Sequence, residues 1–236
     1  ARLGILDSGY NPYKGISFGE QSAILKTDIY PDKPVLSKED WELIKNYVLD
    51  SAPDSLEISY PSNTPSELSQ FSPDPISIDS YPGSFITFMR YDQSSHNLNL
   101  GDIRGNLYSY DFAKNKTLPM GRFGIGIVDY TEKEGVRYIT SVGQLNPSEL
   151  ASGRIFINAD NKTTLLPQIL HRPVNTLVAD LDKDGNEELV VSEFGDLTGE
   201  LALFTKKGNT EYKKKVLLGQ PGSNRIIAKD MDGDGK

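Results

Sequence analysis

The sequence predicts an all-β fold: a β-propeller of about three blades behind an N-terminal arm that contains one α-helix. Three observations carry this expectation. From Ser84 onward, short runs rich in Phe, Tyr, Ile and Val alternate with Gly, Asp and Asn turns, as short strands joined by tight connections do. No helical period interrupts these runs. Finally, the texture repeats. Val128-Asp129, Ala179-Asp180 and Lys229-Asp230 align at spacings of 51 (180 − 129) and 50 (230 − 180) residues. A second phrase, Gly101-Asp102-Ile103-Arg104-Gly105-Asn106-Leu107, returns 94 residues later as Gly195-Asp196-Leu197-Thr198-Gly199-Glu200-Leu201. A unit of roughly 50 residues with about four short strands has the size of a propeller blade, and sandwiches do not repeat in this way.

The elements follow in order. Residues 1–52 form the arm. Glycines and prolines make its beginning irregular, and one helix is predicted over 38–50. Ser37 is its N-cap, with Asp40 three residues on as a short-armed capping box. Trp41, Ile44 and Val48 repeat at three- and four-residue spacing, which gives one apolar stripe. Pro53 stops the helix. Residues 53–83 read as an extended Ser/Pro-rich linker, since nine serines and six prolines fall within 51–82. Strands are predicted at 85–91, 97–100, 106–111, 123–128, 136–142, 153–157, 175–179, 188–193, 200–204, 211–217 and 225–228. The arm is expected to attach the molecule elsewhere, with Trp41, Ile44 and Val48 buried against the propeller or a partner chain.

Composition narrows the chemistry. The 236-residue chain carries 25 basic and 33 acidic residues, net −8, which disfavours a nucleic-acid surface. No run of eighteen apolar residues suggests membrane insertion. With no cysteine and only His96 and His171, a Cys nucleophile, a zinc-thiolate site and a c-type haem attachment are excluded. Gly121-Arg122-Phe123-Gly124-Ile125-Gly126 lacks the strand–loop–helix context of a phosphate cradle, and its glycines read as strand or turn positions. Asp7-Ser8-Gly9 has no histidine in a supporting motif. His171 reads as the residue that leads into a strand. Asn115-Lys116-Thr117 and Asn161-Lys162-Thr163 match the glycosylation sequon and read as exposed hairpin tips. The 12 tyrosines fit a sugar-binding surface and ordinary strand positions equally well.

The strongest constellation is a calcium loop. Calcium takes six to eight hard oxygen ligands. Asp180, Asp182 and Asp184 alternate, so a curled loop turns all three carboxylates inward. Gly185 permits the sharp turn, the Asn186 carbonyl fills position 7 and Glu188 position 9. Position 12 is Val191 inside a β run, so this is not an EF-hand. Asp230, Asp232 and Asp234 begin a second such loop, which stops at Lys236 before its position-9 ligand. Residues 129–135 form a degenerate third, a structural turn without calcium in which Lys133 pairs with Asp129 in the cation's place.

His171-Arg172-Pro173-Val174, Ala179 to Gly185, Leu189-Val190-Val191 and Phe194-Gly195 together resemble an FG-GAP (VCBS-type) repeat. Pro221-Gly222 followed by Asp230 to Gly235 resembles the start of the next. The resemblance spans 84–236, strongly after 171, and implies a calcium-stabilised β-propeller, as in integrin heads and many secreted bacterial proteins. Pro34-Val35-Leu36-Ser37, Asp40-Trp41, Ile44, Tyr47 and Ala52-Pro53 are similar to the last helix of c-type cytochrome domains, which precede such propellers in some bacterial proteins. The haem attachment motif is missing, so no haem is expected in this chain.

These readings lead to a non-catalytic, extracytoplasmic scaffold, secreted, on the cell surface or periplasmic, with structural Ca²⁺ and a protein or glycan ligand. The alternatives are an accessory propeller of a haem-containing redox protein and a fragment of a propeller polysaccharide lyase. Propellers close with about four to eight blades. This chain is therefore expected to be part of a longer polypeptide, or to be completed by other chains in a larger assembly.

Overall fold

A computed structural model describes residues 15–26, 36–55, 70–78, 85–160, 162–208 and 211–231. The chain divides into two compact units. One contains residues 1–16 and 28–76, and the other residues 17–27 and 77–236.

In the first unit, α2 (Lys38–Ser51) matches the predicted helix. Ser37 Oγ accepts the Asp40 N–H at 3.0 Å, and Ala52 is extended ahead of Pro53. No residue of α2 is buried: Ile44 and Val48 are exposed and Trp41 is half-buried.

Among the described residues, the second unit holds α1 (Phe18–Leu25) and twelve strands in three four-stranded antiparallel sheets. The first sheet is β1 (Ile86–Asp92), β2 (Asn97–Asp102), β3 (Asn106–Asp111) and β4 (Lys116–Arg122). The second is β5 (Ile127–Lys133), β6 (Val136–Ser141), β7 (Arg154–Ala159) and β8 (Lys162–Leu165). The third is β9 (Pro173–Ala179), β10 (Glu188–Glu193), β11 (Glu200–Lys207) and β12 (Glu211–Leu218). Each is a meander in sequence order, the connection that short turns allow antiparallel strands.

Successive sheets share cores. Phe88 and Leu107 of the first meet Ile127, Tyr130 and Ile139 of the second. Tyr138 and Ile155 of the second meet Val178, Leu189, Val191, Ala202 and Phe204 of the third. Gly101 permits the first contact: a Cβ there would lie 2.6 Å from Ile127 Cβ, so only glycine lets β5 approach so closely.

A polar stitch joins the first strands of all three sheets. Asp129 is 2% exposed on β5. Its Oδ1 accepts Arg90 Nη2 of β1 at 2.6 Å, and its Oδ2 accepts Asn175 Nδ2 and the Thr176 N–H of β9 at 2.8 and 2.9 Å. Asn175 Oδ1 repeats the pattern by accepting the Ile226 N–H at 2.8 Å.

The predicted strands are found with four corrections. β4 and β8 were not predicted, because Lys116, Pro119 and Gly121 weaken one pattern and Lys162-Thr163-Thr164 is short and polar. Both are outer strands of their sheets, where lysine and proline guard an edge. The strand expected at 123–128 starts at Ile127, since Gly124 and Gly126 have φ of +67° and +66° and shape a turn. Residues 225–228 form no assigned strand, although Ile226 is tied to β9.

Helix α1 corrects the irregular reading of the arm's beginning. Ser17 and Glu20 make a full capping box, visible in the sequence as Ser-x-x-Glu. Glu20 Oε1 also accepts Ser148 Oγ at 2.6 Å and the Glu149 N–H at 3.1 Å, and Ile24 is buried. Ser17→Ala is expected to cost about 1 kcal/mol, read as a lower urea midpoint. The Ser148 hydrogen bond, with those from Ser17 and Glu149, holds the Glu20 carboxyl below its ordinary pKa. A lowered folded pKa gives stability that is present above the unfolded value and lost as pH falls through the folded one. The parent–variant difference should therefore narrow in acid.

The 129 region is also corrected. Asp129 sits inside β5 and not in a loop, and Arg90 is its cation. Lys133, at the hairpin tip, pairs with Glu187 at 2.8 Å. Counted along the sheets, the turn after Lys133 corresponds to the loop after Ala179, so the alignment of Asp129 with Asp180 was out of register. The second repeated phrase is in register: residues 101–107 and 195–201 both span the connection from second to third strand, two sheets apart.

Candidate metal centre

The loop 180–187 joins β9 to β10, and the Ala179–Glu188 pair closes it. Two left-handed residues curl it, Lys183 at φ 62° and Gly185 at φ 86°. A Cβ on Gly185 would meet nothing within 4 Å, so backbone geometry and not space selects glycine there.

Loop amides hold the carboxylates in place. Asp180 Oδ2 accepts the Gly185 N–H at 3.0 Å, and Asp182 Oδ1 accepts the Asp184 N–H at 3.2 Å. Glu188 Oε2 accepts the Leu181 N–H at 2.8 Å. Each group thus spends one oxygen on the loop. Asp180, Asp182 and Glu188 each offer an oxygen, all within 4.8 Å of one another. Of these groups, Asp180 Oδ1 and Glu188 Oε1 are buried with no hydrogen-bond partner. Buried polar atoms are nearly always satisfied, and an unpartnered carboxylate oxygen is especially costly. A hard cation bound by several oxygens accounts for both orphans at once.

The structure brings together three of the five residues expected at this site. Asp184 stands outside the group: its Oδ1 accepts the Asn186 N–H at 2.8 Å and Asn186 Nδ2 at 3.0 Å. Asn186 is exposed at the turn, and its amides brace Asp184. In the second expected loop, Asp230 is exposed, while Asp232 and Asp234 lie outside the described residues. The expected glycosylation tip at Asn115 lies in the β3–β4 hairpin at φ 47°, and Asn161 lies outside the described residues. His171 does lead into β9, and its N–H donates to Glu193 Oε2 at 2.6 Å.

One contributor was not foreseen. Glu187 ties the loop to Lys133 of the neighbouring sheet, so its carboxylate adds to loop rigidity and not to the ligand set. The two carboxylates side by side, Glu187-Glu188, carry no signal that assigns one inward and one across to the next sheet. Only the strand register does that.

No protein-family model matches the chain, and no curated protein matches it.

Proposed function

We propose that the chain is a non-catalytic, calcium-stabilised β-propeller scaffold that works outside the cytoplasm and binds a protein or glycan. The single observation that carries the metal is the pair of buried, unpartnered oxygens on Asp180 and Glu188. Three sequential four-stranded meanders with shared cores support the propeller. Asp180, Asp182 and Glu188 hold the ion directly, while Asp184 stays braced by the Asn186 amides. The ion fixes the β9–β10 hairpin and, through Glu187 and Lys133, its neighbour. Extracellular calcium modules bind at about 10⁻⁴–10⁻³ M. A three-carboxylate site on an exposed loop belongs in that range, which suits a calcium-rich compartment. The scaffold's partners are a protein or glycan ligand and the chains that complete its ring.

Calorimetric titration with calcium chloride is expected to show a site in that affinity range that Asp180→Asn abolishes. Binding that survives Asp180→Asn and Glu188→Gln together would place the ion elsewhere and defeat this assignment.

A further inference from the structure

The two clefts between successive sheets differ in kind. Counted back from the first hairpin, equivalent cross-strand rows are Arg90–Asn99–Ser109–Leu118 in the first sheet and Thr131–Tyr138–Ile157–Thr164 in the second. Directly opposed residues share a face. In the second sheet, Tyr138 and Ile157 fill the cleft toward the third and join its core. In the first sheet the same two places hold Asn99 and Ser109. Their cleft toward the second sheet stays open, with a volume of about 970 Å³. That lies near the upper end of small-ligand sites, about 300–1,000 Å³.

Asn99 and Ser109 are 6% and 8% exposed, yet neither side chain makes a hydrogen bond among the described residues. Their polar atoms are not sealed from solvent but face the open cleft, where they are available to a ligand. An apolar pair, as in the second sheet, would seal the space. Of the charged groups that line the cleft, Glu134 makes no hydrogen bond or ion pair among the described residues, and the others are engaged at least in part. Arg90 is held by Asp129 and the Tyr130 carbonyl, while Arg137 Nε and Tyr130 OH both donate to Glu132. The cleft offers a ligand the Asn97 and Asn99 amides and the Ser109 hydroxyl, beside the apolar surfaces of Tyr91, Leu118 and Met120, and the Glu134 carboxylate at its wall repels an acidic ligand.

That combination matches a sugar ring, which carries hydroxyls at its edge and C–H groups on its face. A peptide fits less well. The outer strand here is β4, and Pro119 on it has no N–H for an added strand.

We propose that this cleft binds a neutral oligosaccharide, with Asn99 and Ser109 as the hydrogen-bonding floor. The proposal deepens the binding role given above and rests on it, but not on the ion.

The test titrates a panel of neutral trisaccharides of glucose, galactose, mannose and N-acetylglucosamine into the full chain in excess calcium, followed by calorimetry. At least one is expected to bind. Asn99→Ala should weaken that binding about tenfold or more. The pair Asn99→Tyr with Ser109→Ile, which recreates the sealed row, should abolish it while the melting temperature holds or rises. If the pair fails to fold, Asn99→Ala and Ser109→Ala alone decide. No binding of any panel member at about 10 mM, or an affinity untouched by Asn99→Ala, overturns the proposal. So does a peptide or acidic polysaccharide that occupies the cleft when no neutral sugar does. Melting with calcium and with chelator is measured on the same samples. A calcium response without sugar binding sinks the cleft alone, and sugar binding without a calcium response sinks the ion alone.

Discussion

Replacement of Lys214 by methionine is expected to destabilise the protein by about 3 kcal/mol at neutral pH. Glu193 is fully buried at the end of β10, and Lys214 Nζ reaches it at 2.7 Å from β12. The same ammonium bonds Glu200 at 2.5 Å. Removing the cation strands a buried carboxylate, which typically costs about 3–5 kcal/mol. The lower end applies because Lys214 is 25% exposed and the His171 N–H still serves Glu193. Burial pushes the Glu193 carboxyl above its ordinary pKa, against the opposing pull of Lys214. A raised folded pKa contributes stability below the unfolded value and loses it as pH rises through the folded one. Without Lys214 that rise grows, so the deficit should be largest near neutrality and shrink in mild acid. For Lys214, burial lowers the pKa, but hydrogen bonds to Glu193 and Glu200 outweigh it and the net direction is up. Its contribution in the parent is therefore present below the ordinary lysine value and lost only in strong alkali. Urea unfolding across pH measures both effects. The double variant with Glu193→Gln should recover most of the loss, and a deficit that does not change with pH would contradict the stranded-carboxylate account.

Removal of the proposed calcium ion is expected to give the second large effect. An ion present at about 10–100 times its Kd stabilises the folded form by about 1.4–2.7 kcal/mol. For a chain of this size that is roughly 3–10 °C in melting temperature. Calorimetry in calcium against excess chelator should show this drop. Asp180→Asn should erase the difference and melt above the chelated parent, because it removes one of several crowded charges. Equal melting of the parent in both buffers would rule out a structural ion.

The sequence carried the sheet region well where strands are inner and apolar. Leu189-Val190-Val191 and Phe204 mark buried strands in any context. It carried the edges poorly, because Lys116 to Arg122 and Lys162 to Leu165 are chosen for exposure and look like turns. The acidic cluster of Asp180, Asp182 and Glu188 was legible because its spacing is local, within one hairpin. The cleft was not: Asn99 and Ser109 are ordinary strand residues until sheet register sets them beside Tyr130 and Glu132. The Asp129 reading failed for a related reason. Alignment of Asp129 with Asp180 suggested a loop, whereas Arg90, 39 residues away, decides its role.

Arrays of repeats usually fray from their ends, since each unit touches only its neighbours. The Asp129 carboxylate works against that habit. Detaching either flanking sheet would leave it short of donors in a dry site, a penalty borne by the sheet that stays behind. Opening should therefore be concerted, and amide hydrogens on β1, β5 and β9 should exchange with one shared protection free energy. The cleft between the first two sheets therefore keeps its shape whether or not anything occupies it.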